Sequence, residues 1–244
     1  MRNAGAIAIL TLAVSIGGGS LLLFAYFLAG GSPLGPTLPL SHSGRLAFDA
    51  CLCLFFFFQH SGMIRQSVKT RLGALVPGPF YPASYAIASG VALVLVVILW
   101  QPGGHVLFRL EGPIAWGPAV VSLMAMVGFF WGVRSLGGFD LFGDGSIRRW
   151  LRGKPDRPPR FTAEGPYRYV RHPFYTCVLV LFWSTPRLTC DRLLFDVLWT
   201  AWVVAATYYE ERDLVAAFGE SYRSYQRSVP RLLPWRPPRQ PVRA

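Results

Sequence analysis

"GPYRYVRHPFYTCVLVLFW", Gly165 to Trp183, decides how the rest of the chain is read. Its first half crowds Arg168, Arg171, His172 and three tyrosines together, and its second half is an apolar run suited to lipid or a packed core. Pro173 stands at the junction. Proline is favoured at the first helical position, where its missing N–H costs nothing, so a helix is expected to start there. Arg171 and His172 then lie at its entrance, beside backbone donors and the positive end of the helix dipole. Such a place attracts a carboxylate or phosphate.

Composition supplies the solvent for that helix. The chain has 244 residues, 52% hydrophobic and 15% charged, against about 25% charged in a soluble domain. Its apolar blocks approach the roughly 20 residues a helix needs to cross a ~30 Å hydrocarbon core. Spans are expected at about 4–28, 42–60, 82–101, 114–136, 173–186 and 193–209. The fold class is therefore all-α, a polytopic membrane bundle of five to six transmembrane helices. A C-terminal helical hairpin and an interfacial helix complete it. The fifth span is short, as in half of a tilted hairpin. The first exceeds the usual signal-peptide core and lacks a small-residue cleavage site, so it is expected to be a retained helix.

Charge orients the bundle. Arg65, Lys69 and Arg71 follow the second span, eight basic residues lie between 148 and 171, and the tail adds Arg223, Arg227, Arg231, Arg236, Arg239 and Arg243. The other connections hold only Arg45, Arg109, Arg187 and Arg192. The positive-inside rule then puts both termini and the two basic connections in the cytoplasm. The net charge of +12 is explained by topology and anionic headgroups, so membrane lipids are the expected partners and nucleic acid is not. Residues 1–136 are read as N-terminal transmembrane helices and 137–244 as the ligand-binding region.

Cys51 and Cys53 lie within one expected span, where they read as small buried apolar residues, Cys177 within another, and Cys190 near the opposite surface. Cys51-Leu52-Cys53 lacks the second ligand pair of a zinc site, and no metal is expected. No Walker loop and no G-x-G-x-x-G after a strand is present. Gly17-Gly18-Gly19, inside an apolar helix, reads as close helix packing.

Two blocks carry the chemistry. In "GGFDLFGDGSIRRWLRGKPDRPPRFTAEGPYRYVRHPFY" the glycines, with Pro155, Pro158 and Pro159, forbid one continuous helix. A short amphipathic piece near 146–152 and an extended crossing to Gly165 are expected. In "YYEERDLVAAFGESYRSYQRSVPRLLPW", Glu210 and Glu211 follow an apolar span. Leu214, Phe218, Tyr222 and Tyr225 then recur at helical spacing, as in an interfacial helix. Adjacent carboxylates suit a ligand with an ammonium group or ribose hydroxyls. Cationic and helix-end donors in one block and carboxylate acceptors in the other describe a site for a small zwitterion. S-adenosylmethionine fits this inventory, and so does a nucleotide cofactor.

"GPYRYVRHPFY" followed by "EERDLVAAFGESYRSY" resembles the signature of the isoprenylcysteine carboxyl methyltransferase superfamily of membrane enzymes. "QHSGM", "FDLFG" and "LRGKPDRPPRF" are similar to the methanethiol S-methyltransferase family, and the resemblance covers about residues 50–234. NnrU-type accessory proteins share part of the pattern. The resemblance implies methylation of a small thiol, methanethiol to dimethyl sulfide, with S-adenosyl-L-methionine as methyl donor. It implies a bacterial inner-membrane protein with a cytoplasmic site. It also puts Gly165, Tyr167, Arg171, His172, Pro173 and Tyr175 on one wall of the cofactor site and Glu210 and Glu211 on the other. Arg171 with the helix-start amides would bind the carboxylate, and a glutamate the ribose or ammonium. Two positions depart from the family pattern: Cys177 replaces a small residue, often glycine, and Gly138 a polar one.

A thiol near pKa 8.5 or above must lose its proton before in-line attack at about 3–3.5 Å. His60, in Gln59-His60-Ser61, is the candidate base or thiolate orienter, with Arg171 or Tyr175 as alternatives. Gln59, His60 and Asp140 are the candidate substrate contacts, Asp140 either pairing with Arg134 or lining the substrate mouth. Other readings stay open: O- or N-methylation of a prenylcysteine or lipid acceptor, a nicotinamide-dependent membrane reductase, or a non-catalytic accessory protein. The oligomeric state is not legible in the sequence.

Overall fold

The computed structural model describes residues 2–31, 34–137, 140–155 and 161–238. Among them are nine α-helices: α1 (Arg2–Leu28), α2 (His42–Ile64), α3 (Gln66–Leu72), α4 (Tyr81–Leu99), α5 (Gly117–Ser135), α6 (Asp144–Leu151), α7 (Pro173–Trp183), α8 (Cys190–Phe218) and α9 (Glu220–Ser228). Two short strands, β1 (Val106–Arg109) and β2 (Arg187–Thr189), form the sheet. By length and composition four helices can cross a membrane, Ala4–Leu28, His42–Ile64, Gly78–Leu99 and Gly112–Ser135, and the shorter Pro173–Trp183 is also apolar. The protein is a polytopic helical membrane protein, as its apolar blocks require.

Local chemistry sets several helix starts. The Ser41 side chain accepts the Gly44 N–H at the start of α2 (3.2 Å). Prolines stand in the first turns of α4, α5 and α7, where no donor is lost. Pro173 begins α7 as expected.

The chain divides into two compact units, described separately. The first holds Met1–Leu107, Asp140–Pro158 and Thr189–Phe195. Its core packs Ala6 and Ala13 of α1 against Phe80, Ala83 and Ala86, with Ile147 of α6 beside them. Small residues let the backbones approach. A Cβ at Gly90 would meet Ile16 Cγ2 and its carbonyl oxygen at 3.0 Å, and one at Gly17 would meet the Phe142 ring at 2.9 Å. The expected close packing at the glycine run thus falls on Gly17. With no hydrophobic drive between helices in lipid, such fits and interhelical hydrogen bonds carry association. Phe24, Phe27, Trp100 and Phe195 add a cluster of edge-on and tilted rings.

The second unit holds Phe108–Phe139, Pro159–Leu188 and Asp196–Ala244. Here α5 packs on α7 through Gly132, where a Cβ would lie 3.0 Å from the Phe174 ring, and Gly128, where it would lie 3.1 Å from Cys177 Sγ. The sulfur at position 177 is therefore seated against a glycine of the neighbouring helix. Gly138, the other departure, lies outside the described residues.

Two expectations are corrected in detail. The fifth span is only eleven residues of helix, about 16 Å at 1.5 Å per residue, or half a bilayer core. The second concerns where the last helix begins, which is not directly after the carboxylates. α8 runs 29 residues straight through them to Phe218. Gly219, at φ 57°, breaks the chain before α9, a left-handed geometry glycine adopts without penalty. Leu214 and Phe218 on α8 and Tyr222 and Tyr225 on α9 still share one cluster, so the periodicity reported a common face rather than a single helix. In the first connection, α6 occupies 144–151, close to the expected 146–152; residues 156–160 lie outside the described set.

Candidate functional site

The second unit gathers the Arg-His-Pro and Glu-Glu blocks around one carboxylate. Glu211 Oε1 accepts Arg171 Nε at 2.7 Å and lies 3.1 Å from His172 Nε2. Its Oε2 accepts Gln226 Nε2 at 3.0 Å and Arg231 Nη2 at 3.2 Å. The side chains of Arg171, His172 and Glu211 are 9%, 3% and 5% exposed. Burial pushes the Glu211 carboxyl up, but the His172 hydrogen bond and the Arg171 and Arg231 charges outweigh it and hold the group at about 2. Glu211 is an ion-pair centre with both oxygens taken.

Arg171 also ties the backbone. Its Nη1 donates to the carbonyls of Gln226 and Val229, while Nη2 has no hydrogen-bond partner among the described residues. The segment after α9 closes over the start of α7: Arg171 N–H donates to Pro230 O at 2.9 Å and His172 N–H to Arg231 O at 3.1 Å. Thr176 Oγ1 donates to Leu232 O at 2.7 Å. The amides of Arg171 and His172, just before α7, are thus engaged by the chain's own tail.

Glu210 differs from its neighbour. Its side chain is 45% exposed, and its carboxylate lies 3.8 Å from His172 Nδ1. His172 stacks on Tyr175, with centroids 5.5 Å apart and planes 26° from parallel. Tyr167 is buried, and its carbonyl accepts the Tyr225 hydroxyl at 2.6 Å. Burial and the Glu210 charge push the Tyr167 phenol above its ordinary range. Gly165, at φ 56°, sits where a Cβ would overlap Ser135 Oγ of α5, so it permits a close approach that no other residue allows. Pro173 is buried at the first turn of α7.

Three expected substrate residues belong to the first unit. Both ring nitrogens of His60 are engaged, Nε2 with Tyr85 Oη at 2.7 Å and Nδ1 with Ser89 Oγ at 3.2 Å. The ring also stacks on Phe56, centroids 5.1 Å apart. Gln59 Nε2 contacts Met63 Sδ at 3.1 Å, and its buried Oε1 has no hydrogen-bond partner. Asp140 accepts the N–H groups of Gly145 and Ser146 at 3.1 and 2.9 Å, capping α6 where Gly143 turns the chain at φ 75°.

Gln226, Arg231, Tyr208 and Tyr222 surround Glu211 without having been candidate site residues in the sequence. Arg231 reaches Glu211 across twenty positions and lays its guanidinium 3.7 Å from the Tyr208 ring centroid. The Tyr222 hydroxyl is buried without a hydrogen-bond partner, and burial with the Glu211 charge raises its pKa. Only the tyrosine spacing pointed toward this face; a lone arginine in a basic tail and one glutamine carry no signal by themselves. Among the described residues no group of three or more His, Cys, Asp or Glu could hold a metal.

Comparison with known proteins finds named relatives. The methanethiol S-methyltransferase of Pseudomonas deceptionensis is 37% identical over 207 residues, covering 82% of this chain and 75% of that one. Methanethiol S-methyltransferase 1 of Bradyrhizobium diazoefficiens is 36% identical over 197 residues, 80% of this chain and 69% of its own. Rat Nurim is 30% identical over 180 residues, 69% and 68% of the two chains. No family model matches the chain, and no solved structure matches it. With a methanethiol S-methyltransferase 37% identical over 75% of its own length, the chain belongs to the methanethiol S-methyltransferase family.

Proposed function

We propose that this protein transfers the methyl group of S-adenosyl-L-methionine to methanethiol, forming dimethyl sulfide, at the cytosolic face of the membrane. One observation carries the reading: relatives named methanethiol S-methyltransferase match about four-fifths of the chain. The donor set fits such a cofactor. Glu210 offers a half-exposed carboxylate to an ammonium group or ribose hydroxyls, and Arg171 Nη2 remains for a carboxylate. Tyr167, His172, Pro173 and Tyr175 form an aromatic, mostly buried lining at the start of α7, and Gly165 sets their approach to α5. Glu211 holds Arg171 and His172 in place and is the positioning carboxylate of the pair.

S-adenosylmethionine supplies an electrophilic methyl group on a sulfonium. The thiolate sulfur forms the new C–S bond as the sulfonium C–S bond breaks, leaving a neutral thioether, and the thiol proton departs to a base. His60 is assigned that proton, with Tyr85 as its hydrogen-bonded partner, and Gln59 and Asp140 are assigned to the substrate side. Charge is destroyed in the step, so an apolar, water-poor environment assists it. Purified protein in detergent, given S-adenosylmethionine and methanethiol, is expected to release dimethyl sulfide into the headspace, and Glu210→Gln to release far less. Cofactor binding without sulfide would overturn the acceptor; no cofactor binding would overturn the whole reading.

A further inference from the structure

The segment after α9 shapes a recess that shares only Arg171 with the methyl-transfer reading. It is a cavity of about 490 Å³ lined by Arg171, Tyr208, Arg227, Arg231, Trp235 and Arg236, with Gln226, Val229 and Pro230 completing it. Four of these are cations and none is an acid. Glu211 and Glu220 offset two of the four charges, leaving two positive charges over. The arginine side chains grade from buried to open, Arg171 at 9% exposure, Arg231 at 28% and Arg227 at 66%. Arg231 Nε–H is buried with no acceptor.

The surroundings say which anion this is. Leu233 and Trp235 are 71% and 67% exposed, an apolar pair standing out beside arginines. Arg236 lies 4.1 Å from the Trp235 ring centroid and donates Nη1 to Arg227 O at 2.8 Å, so the indole and the two rim arginines are held as one group. Tryptophan with arginine is the side-chain pair of a bilayer interface, and arginine clusters beside apolar helices recognise anionic headgroups. A free phosphate would leave Leu233 and Trp235 facing water; a lipid covers them.

We propose that this recess binds the phosphate of an anionic phospholipid, held by Arg227, Arg231 and Arg236, with Trp235 and Leu233 against its acyl region. The test is native mass spectrometry of full-length protein from bilayers of mixed phosphatidylcholine and phosphatidylglycerol. Wild type is expected to retain phosphatidylglycerol at least about tenfold over its bulk ratio. Each arginine removed lowers that preference about fivefold, so Arg227→Gln/Arg236→Gln abolishes it while Arg227→Lys/Arg236→Lys keeps most of it. Bulk-ratio retention by wild type, or equal retention by the glutamine variant, overturns the proposal. Displacement of the lipid by millimolar inorganic phosphate would reassign the recess to a free anion. Displacement by S-adenosylmethionine would reassign it to the methyl donor. The readout is lipid retention, so it stands apart from whether dimethyl sulfide is made.

Discussion

Asp49 in the first unit and Glu211 in the second are both almost completely buried, and the two are held in opposite ways. In the first unit Asp49 is fully buried, its Oδ1 takes the Gln101 N–H at 2.9 Å, and its Oδ2 has no hydrogen-bond partner. In the second, Glu211 meets four donors, two of them guanidinium groups. Glu211 centres a polar network that ties together α7, α8, α9 and the tail, whereas Asp49 is held by one backbone donor. A network in low dielectric specifies geometry closely and leaves little room for substitution. That is what a site needs.

The contrast breaks most visibly if one partner of the Glu211 network is removed. Arg171→Ala or Glu211→Gln leaves a buried charge without its counterpart, and about 3–5 kcal/mol of stability is expected to go, seen as an early melt in detergent. Glu210→Gln should leave the melt unchanged and remove sulfide production, separating the positioning carboxylate from the ligand-facing one. If Glu210→Gln also melts early, the division between the two glutamates fails.

Acid sharpens the same point. The Glu211 carboxyl is held at about 2 against an ordinary 4.5. Its folded pKa is depressed, so its stabilisation is present above about pH 4.5 and is lost as pH falls toward 2. The loss is of order 3 kcal/mol. Melting temperature followed from pH 5 to pH 2 should fall in wild type, and the slope should flatten in Glu211→Gln.

Backbone fit comes next. Gly165→Ala forces a side chain into the left-handed region and onto Ser135 Oγ, at a cost of about 1–3 kcal/mol. Ser135→Gly in the same background should recover only the overlap. Full recovery would show that φ strain plays no part.

The smallest effect is expected at the loosely held carboxylate. Asp49→Asn keeps the acceptor for Gln101 N–H and should shift stability by less than about 1 kcal/mol, whereas Asp49→Ala, which orphans that donor, should cost about 1–3 kcal/mol. An Asp49→Asn effect as large as that of Glu211→Gln would erase the distinction between the two carboxylates.

Much of this was legible beforehand because it depends on local chemistry. Hydropathy marks the membrane helices, since lipid offers no partner to a bare backbone. Pro173 marks the start of α7, and the Arg-His-Pro and Glu-Glu motifs carry the family signature over long stretches. Which of Glu210 and Glu211 is buried was not legible, because adjacent residues on a helix point about 100° apart and only packing decides which turns inward. The break at Gly219 was hidden by a tyrosine spacing that runs across it. That Asp140 caps α6 was not legible either, because it depends on a turn at Gly143 that no periodicity reveals.

The sequence by itself determined the solvent, the helices and the residues from which a site could be made, because hydropathy, proline geometry and motif act within a few residues. Only the tertiary structure decided that Arg231 and Gln226 complete the Glu211 network, that the tail takes the amides entering α7, and that four arginines share one recess. Those contacts join residues tens of positions apart, and their charges become specific only where burial lowers the dielectric around them.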